Sequence, residues 1–302
     1  MTTPGDSDRV GPGQPVALFR STAGRAAVQA AYDRQLARLT FAYDTRFVET
    51  RFGPTHVLMM GPADAPPAVA VHGVNFPAPF VAPMAQNLAQ RFRLHLPDVV
   101  GQPGRSAQVR PSRTGHAYAG WLSDVMDGLN LPRAMLIGLS FGGSIALDLA
   151  AVAPQRIEKL ALIVPAGIAG ADPDLMPLAR MFFDWYLFRW FPDRARIAEV
   201  VKPLAWTLDD TQYDYFSAIL QHARWLISPP GPFAAADLAA FTAPCALHAA
   251  DADIFFPAAR LIPAARAALP TLVEAHAYPS SHVPTPAMQA EVMTRVMRFL
   301  GG

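Results

Sequence analysis

The segment Gly138-Leu139-Ser140-Phe141-Gly142 sets one hydroxyl between two glycines, a spacing that suits a nucleophile if the chain turns sharply there. The apolar run Ala134-Met135-Leu136-Ile137 precedes it, and the helical run Ser144-Ile145-Ala146-Leu147-Asp148-Leu149-Ala150 follows. A strand-to-helix turn of this kind leaves no room for side chains at Gly138 and Gly142 and lifts the serine hydroxyl above the sheet edge. The N-terminus of the following helix favours negative charge developing beside it. Without those flanking elements the same letters would describe a glycine-rich turn with an idle serine.

A hydroxyl attacks poorly until a base removes its proton. Of eight histidines, His56, His95, His248 and His276 fall in or beside expected strands, and His116 and His222 in helical segments, so packing or surface roles suit them. His282 stands in Ser280-Ser281-His282-Val283-Pro284, a loop between the last expected strand and the last helix, from which an imidazole can reach the nucleophile. The imidazole needs a carboxylate to hold its tautomer. Asp251 and Asp253 both follow the strand Ala246–Ala249. Asp253 is preferred because it sits in the tight loop before the next helix, whereas Asp251 is placed to cap the turn. One strand earlier the chain reads Pro165-Ala166-Gly167, with no acid before Asp172. Acyl transfer also needs donors for an oxyanion. The amide of Phe141 is one, and that of Val74, in the loop His72-Gly73-Val74-Asn75-Phe76-Pro77, is expected to be the other. Asn75 either faces substrate or satisfies the turn.

The elements that must hold these groups follow a regular order. A first helix is expected from Ser21 to Arg38, then strands at Thr45–Thr50 and His56–Met60 joined across Phe52-Gly53-Pro54, a hairpin signal. Apolar runs at Ala68–His72, Phe92–Leu96, Ala134–Gly138, Leu160–Val164, Ala246–Ala249 and Leu272–Ala277 read as buried strands. Helix-length segments at Pro79–Gln90, Thr114–Leu129, Gly142–Ala153, Pro257–Leu269 and Pro286–Leu300 lie among them. Such alternation predicts an α/β fold with a mostly parallel sheet covered on both faces. Between Val164 and Ala246 lie about eighty residues, far more than a crossover needs. Helical in texture, this stretch holds four of the five tryptophans. It is expected to form a helical cap over residues 166–240, with 16–165 and 241–302 as the core and 1–15 as a flexible arm. Phe182, Trp185, Trp206 and Trp225 are the cap residues expected to meet substrate. A membrane-surface role for the cap is disfavoured, because its helix lacks a lysine-rich polar face.

Composition narrows the classes. The 302 residues are 52% hydrophobic and 16% charged, enough for a sizeable core. A formal charge of +1 without basic runs argues against a nucleic-acid partner. Cys245 is the only cysteine, so neither an internal disulfide nor a multi-cysteine metal site is expected, and its apolar neighbours suggest a buried structural thiol. The polar N-terminus has no apolar signal core and no stretch is long enough to span a bilayer, so a cytoplasmic protein without stable membrane insertion is expected. An aromatic cap also offers surface for a homodimer.

Together these residues resemble the α/β-hydrolase superfamily from about Thr45 to the C-terminus, with the chain order Ser, Asp, His. His72-Gly73 looks like its oxyanion-loop motif. Asp98-Val99-Val100-Gly101-Gln102-Pro103-Gly104-Arg105-Ser106 is similar to its D-x-x-G-x-G-x-S loop with one extra residue before the second glycine, which implies a shifted loop beside the site. Phe19-Arg20-Ser21, Gly24-Arg25, Ala31-Tyr32, Arg51–Val57 and Trp121–Leu129 resemble bacterial carboxylesterases of the naproxen-esterase type. That resemblance implies hydrolysis of small hydrophobic carboxylic esters through an acyl-enzyme, with no cofactor and no metal. The same triad would serve cleavage of a carbon–carbon bond in a meta-cleavage-type diketone, or of an amide. Acyl transfer or perhydrolysis would follow if the pocket excluded water. Dehalogenase and epoxide hydrolase chemistry would need a carboxylate where Ser140 stands. A non-catalytic ligand-binding protein is the reading from a different class.

Overall fold

A computed structural model describes residues 14–171, 175–204, 208–224 and 229–302. The strands and helices, in chain order, begin with β1 (Gln14–Pro15), α1 (Thr22–Leu36), β2 (Asp44–Thr50), β3 (Gly53–Met60), β4 (Pro67–Val71), α2 (Ala78–Met84), β5 (Arg93–Pro97) and β6 (Val109–Arg110). They continue with α3 (Ala117–Gly128), β7 (Ala134–Leu139), α4 (Phe141–Val152) and β8 (Ile157–Ile163). After these come α5 (Leu175–Trp190), α6 (Arg194–Val201), α7 (Asp210–His222), β9 (Cys245–Ala250), α8 (Ala258–Ala268), β10 (Leu272–Tyr278) and α9 (Pro286–Gly301).

Eight strands form one sheet in the order β10-β9-β8-β7-β4-β5-β3-β2. The pairings from β10 to β5 are parallel, and β3 pairs antiparallel with both β5 and β2. The central strands are apolar on both sides because helices cover both faces. Val69, Val71, Leu136 and Leu162 face α3, α4 and α8, while Ala68, Ala70, Ile137 and Ile163 face α1, α2, α7 and α9. Trp121 of α3 is fully buried and still satisfies its indole by donating to Thr55 Oγ1 at 2.9 Å. Burying a side chain of this size is worth about 2–3 kcal/mol, provided the N–H finds a partner.

The structure adds detail to three expectations. The helix expected over Pro79–Gln90 ends at Met84 and gives way to a 3₁₀ turn at Leu88–Gln90. Pro83 inside it lacks an amide donor and crowds the preceding turn. The arm's last residues, Gln14 and Pro15, pair antiparallel with Arg110 and Val109, while residues 1–13 lie outside the described set. The 166–240 segment contains the helices α5, α6 and α7, and the last of them packs into the core. Tyr215, Phe216 and Ile219 of α7 share the core of α1 and α2, and Phe19 bridges Ala223. The outer part, α5 and α6, forms a small cluster from Met181, Phe188, Ile197 and Val200, closed by Leu220 of α7. Among the described residues no helix is long and apolar enough to cross a membrane.

Candidate active site

Ser140 occupies the junction between β7 and α4 with φ 49° and ψ −114°, a backbone shape side chains rarely adopt. The surroundings over-determine it. Its amide donates to the carbonyl of Ile163 at 2.9 Å, and its carbonyl accepts from the amides of Gly143 (2.8 Å) and Ala166 (3.0 Å). A Cβ at Gly142 would stand 2.0 Å from the carbonyl oxygen of Val71, and one at Gly138 2.7 Å from the Cα of Gly143. Those clashes explain both glycines of the motif. β4 and α4 can cross this closely only without them.

Three side chains converge from three parts of the sequence. Ser140 Oγ lies 3.0 Å from His282 Nε2, and His282 Nδ1 lies 2.8 Å from Asp253 Oδ2. Asp253 follows β9, and its second oxygen accepts from the amides of Phe255 (2.8 Å) and Phe256 (3.1 Å). The carboxylate is thereby locked in one rotation, with one oxygen free to face the imidazole. Asp251 is exposed, and its amide only ties the loop to Tyr278. The Phe255 ring packs edge-on against His282 at 4.7 Å and also touches the cluster around α5 and α6, so it joins His282 to that cluster. Reading the sequence did not single out Phe255 or the two amides; only the folded loop turns them toward Asp253 and His282.

The amides of Phe141, first in α4, and of Val74, after β4, have no hydrogen-bond acceptor among the described residues. Gly73 lies against Ser140: a Cβ there would be 3.3 Å from Ser140 Cβ. His72 holds this loop from beneath. The Val99 amide donates to His72 Nε2 at 2.7 Å, which leaves Nδ1–H to donate to the Gly73 carbonyl at 2.7 Å. Complete burial lowers the imidazole's pKa and keeps it neutral. Asn75 is buried in a left-handed turn (φ 60°), and its amide reaches Gln102 Oε1 at 3.4 Å.

The loop of Asp98 supports the same turn from its far end. Asp98 Oδ1 accepts from the amide of Ala78 at 2.9 Å, where the Val74 loop enters α2. Oδ2 accepts from Tyr32 Oη (2.9 Å) and the Arg105 amide (3.0 Å), with His56 Nδ1 at 3.3 Å. Burial alone would raise this carboxyl's pKa; the hydrogen bond and charge of His56, with His72 and the Arg105 amide, hold it below the usual range. The sequence suggests only a packing or surface role for His56 of β3, and Tyr32 of α1 enters only among the residues of the resemblance; neither is tied to Asp98 there.

Of the expected cap residues, Trp185 is partly buried and donates its indole to the Leu220 carbonyl at 3.3 Å, an internal cap contact. Phe182 is exposed and packs edge-on against Trp185. Trp206 and Trp225 lie outside the described residues. Among the described residues no group of three or more His, Cys, Asp or Glu could hold a metal ion.

Known proteins show the same scaffold. The alpha/beta hydrolase fold family matches residues 69–231, more than half of the chain. Carboxylesterase YbfK of Bacillus subtilis is 35% identical over 136 residues, 45% of this chain and 46% of that protein. An uncharacterized carboxylesterase, nap, of the same organism is 33% identical over 135 residues, 45% of each chain. The aligned stretch therefore spans about half the length of these curated relatives. Crystal structures from Bacillus subtilis superpose more widely. Naproxen esterase aligns with 93% of this chain and 99% of its own at a TM-score of 0.75 and 23% identity. Carboxylesterase CesB (YbfK) covers 93% and 100% at a TM-score of 0.74 and 25% identity. The resemblance drawn from the motif residues agrees with these matches. With Ser140 at a strained strand–helix elbow of an eight-stranded, mostly parallel sheet, and the family match spanning that elbow, this chain belongs to the α/β-hydrolase fold family.

Proposed function

We propose that this protein is a serine carboxylesterase acting on small, hydrophobic esters through an acyl-enzyme. The observation that carries the reading is the unbroken relay from Ser140 Oγ through His282 to Asp253, at 3.0 and 2.8 Å, beside two amides with no acceptor among the described residues. His282 Nε2 takes the hydroxyl proton as Ser140 Oγ bonds to the ester carbonyl carbon, and the carbonyl oxygen gains negative charge. Phe141 and Val74 amides donate to that oxygen. The imidazolium, held by Asp253, passes its proton to the departing alkoxide and leaves an acyl group on Ser140. Water then repeats the sequence: His282 takes its proton, hydroxide adds to the acyl carbon, and Ser140 leaves with the proton returned. No redox step or cofactor enters this cycle.

The apolar texture of residues 166–240 supports an uncharged acyl or alcohol group, and the carboxylesterase names of the Bacillus relatives favour an ester as the bond cleaved. Labelling with a fluorophosphonate and hydrolysis of p-nitrophenyl esters test the reading together. The expected results are an adduct on Ser140 and loss of turnover in Ser140→Ala. Full activity in that variant would refute the assignment. Turnover of a meta-cleavage-type diketone without ester hydrolysis would move the chemistry to the carbon–carbon bond.

A further inference from the structure

The outer face of α5 carries Phe183, Tyr186 and Trp190, which are 59, 55 and 63% exposed. The steps of three and four residues between them put all three on one stripe. Phe191, just past the helix, is 62% exposed. This stripe is not a core face awaiting its fold, since Met181 and Phe188 on the opposite side already pack into the α5–α6 cluster. A contiguous aromatic surface of this kind marks an interaction site.

The charges beside it point to the partner. Most acids near α5 and α6 are matched: Asp184 with Arg180, Asp193 with Arg196, Asp210 with Arg194 and Glu199 with Lys202. Arg189, on the flank of the aromatic stripe, has no ion pair among the described residues, and neither do Arg20 and Arg224. The bridge between Phe19 and Ala223 brings the last two together. The Arg20 amide donates to His222 and the Arg224 amide to Leu18, each at 2.8 Å, so both side chains leave the same side of this short ribbon. Arg20 Nε is buried without an acceptor. Burial, then the nearby charges of Arg189 and Arg224, lower the Arg20 pKa, so each of these two cations lies within electrostatic reach of Arg20.

We propose that this surface docks on an anionic phospholipid bilayer, with Phe183, Tyr186 and Trp190 at headgroup level and Arg20, Arg189 and Arg224 supplying the contacts to lipid phosphate. Aromatic rings favour that interfacial depth, and arginine forks match phosphate oxygens. A second copy of the chain fits less well. A two-fold contact through α5 would set the same three arginines, unpaired among the described residues, on both sides of one interface. α5 itself lacks the basic face expected of a surface helix; the fold supplies it from the segments before α1 and after α7. The proposal does not depend on which ester Ser140 accepts.

Co-sedimentation of the full chain with phosphatidylcholine vesicles, and with equal mixtures of phosphatidylcholine and phosphatidylglycerol, tests it. Binding is expected only to the mixed vesicles and should fall as salt rises. Each arginine removed should cost about fivefold in partitioning, so Arg20→Gln/Arg189→Gln/Arg224→Gln should lose roughly a hundredfold. Phe183→Ser/Trp190→Ser should also release the protein. Both variants should keep wild-type hydrolysis of p-nitrophenyl acetate, which separates this test from that of the active site. If the triple variant unfolds, Arg189→Gln and Arg224→Gln, both exposed, carry the charge test singly. No binding to the mixed vesicles, or binding unchanged in these variants, would overturn the proposal. So would light scattering that shows a dimer dissociated by Phe183→Ser/Trp190→Ser, since the surface would then serve a second copy.

Discussion

Replacing Asp253 by Asn tests the relay with almost no change of shape. In the wild type one carboxylate oxygen accepts from the Phe255 and Phe256 amides, and the other faces His282 Nδ1 at 2.8 Å. An asparagine must keep its carbonyl oxygen toward the two backbone donors, because an NH₂ there would confront two N–H groups with none accepting. Its NH₂ then points at His282 Nδ1, which must become the acceptor. The ring proton moves to Nε2, the atom that has to take the proton of Ser140. The nucleophile is left facing a donor, and kcat should fall about 10⁴-fold, as expected for a triad in the wrong tautomer. That is about 5.5 kcal/mol of lost transition-state stabilisation. KM for a short p-nitrophenyl ester should change little, since binding groups are untouched, and the melting temperature should stay near wild type. Asp251→Asn, at an exposed side chain, should stay within about twofold of wild type. Initial rates on p-nitrophenyl butyrate for the two variants settle the matter. An Asp253→Asn enzyme within tenfold of wild type, or a larger loss in Asp251→Asn, would refute the reasoning.

Ser140→Gly should raise the melting temperature above that of Ser140→Ala while leaving both inactive, because glycine relieves a φ of 49° that otherwise costs about 1–3 kcal/mol. Thermal denaturation of the pair checks it. Burial holds the His95 pKa down to about 4 and that of His248 to about 3, so both stay neutral in the fold while the unfolded chain protonates near 6.5. Their stabilisation is full above that value and declines as pH falls, by up to roughly 1.4 kcal/mol per unit for each, until each folded pKa is reached. Urea titrations between pH 7 and 4 should show this slope, and His248→Gln should flatten it. Burial also pushes the Cys245 thiol up, so a disulfide-exchange reagent should label it only after denaturation and should not inhibit the native enzyme.

Much of this was legible before folding because it is written in local pattern. The expected strands at Ala68–His72 and Ala246–Ala249 fall within a residue of β4 and β9, since period and composition signal a strand buried on both faces. The same holds for the elbow, where two glycines and a serine between a strand and a helix permit little else. Pro83 was visible too, but an apolar run around it outweighed the break it causes. The likeness to carboxylesterases also rested on short motifs, and those agree with the relatives found.

Other features depend on residues far apart in the chain. The loop's sequence favours Asp253 over Asp251 by position alone; the burial of its side chain and the two amides that grip it belong to the folded loop. Tyr32 and His56 had no periodic signal that could tie them to Asp98; they meet because α1 packs beside β3 and β5. The basic flank proposed for the α5 surface is likewise absent from that helix's own letters, since Arg20 and Arg224 arrive from Leu18–Arg20 and Ala223–Arg224 through one β-bridge. Local sequence determined the elements and the strand–helix elbow that holds Ser140, because backbone sterics and hydrophobic period act over a few residues. Tertiary structure decided the partners, because a hydrogen bond or an uncompensated charge is a property of what lies across from it.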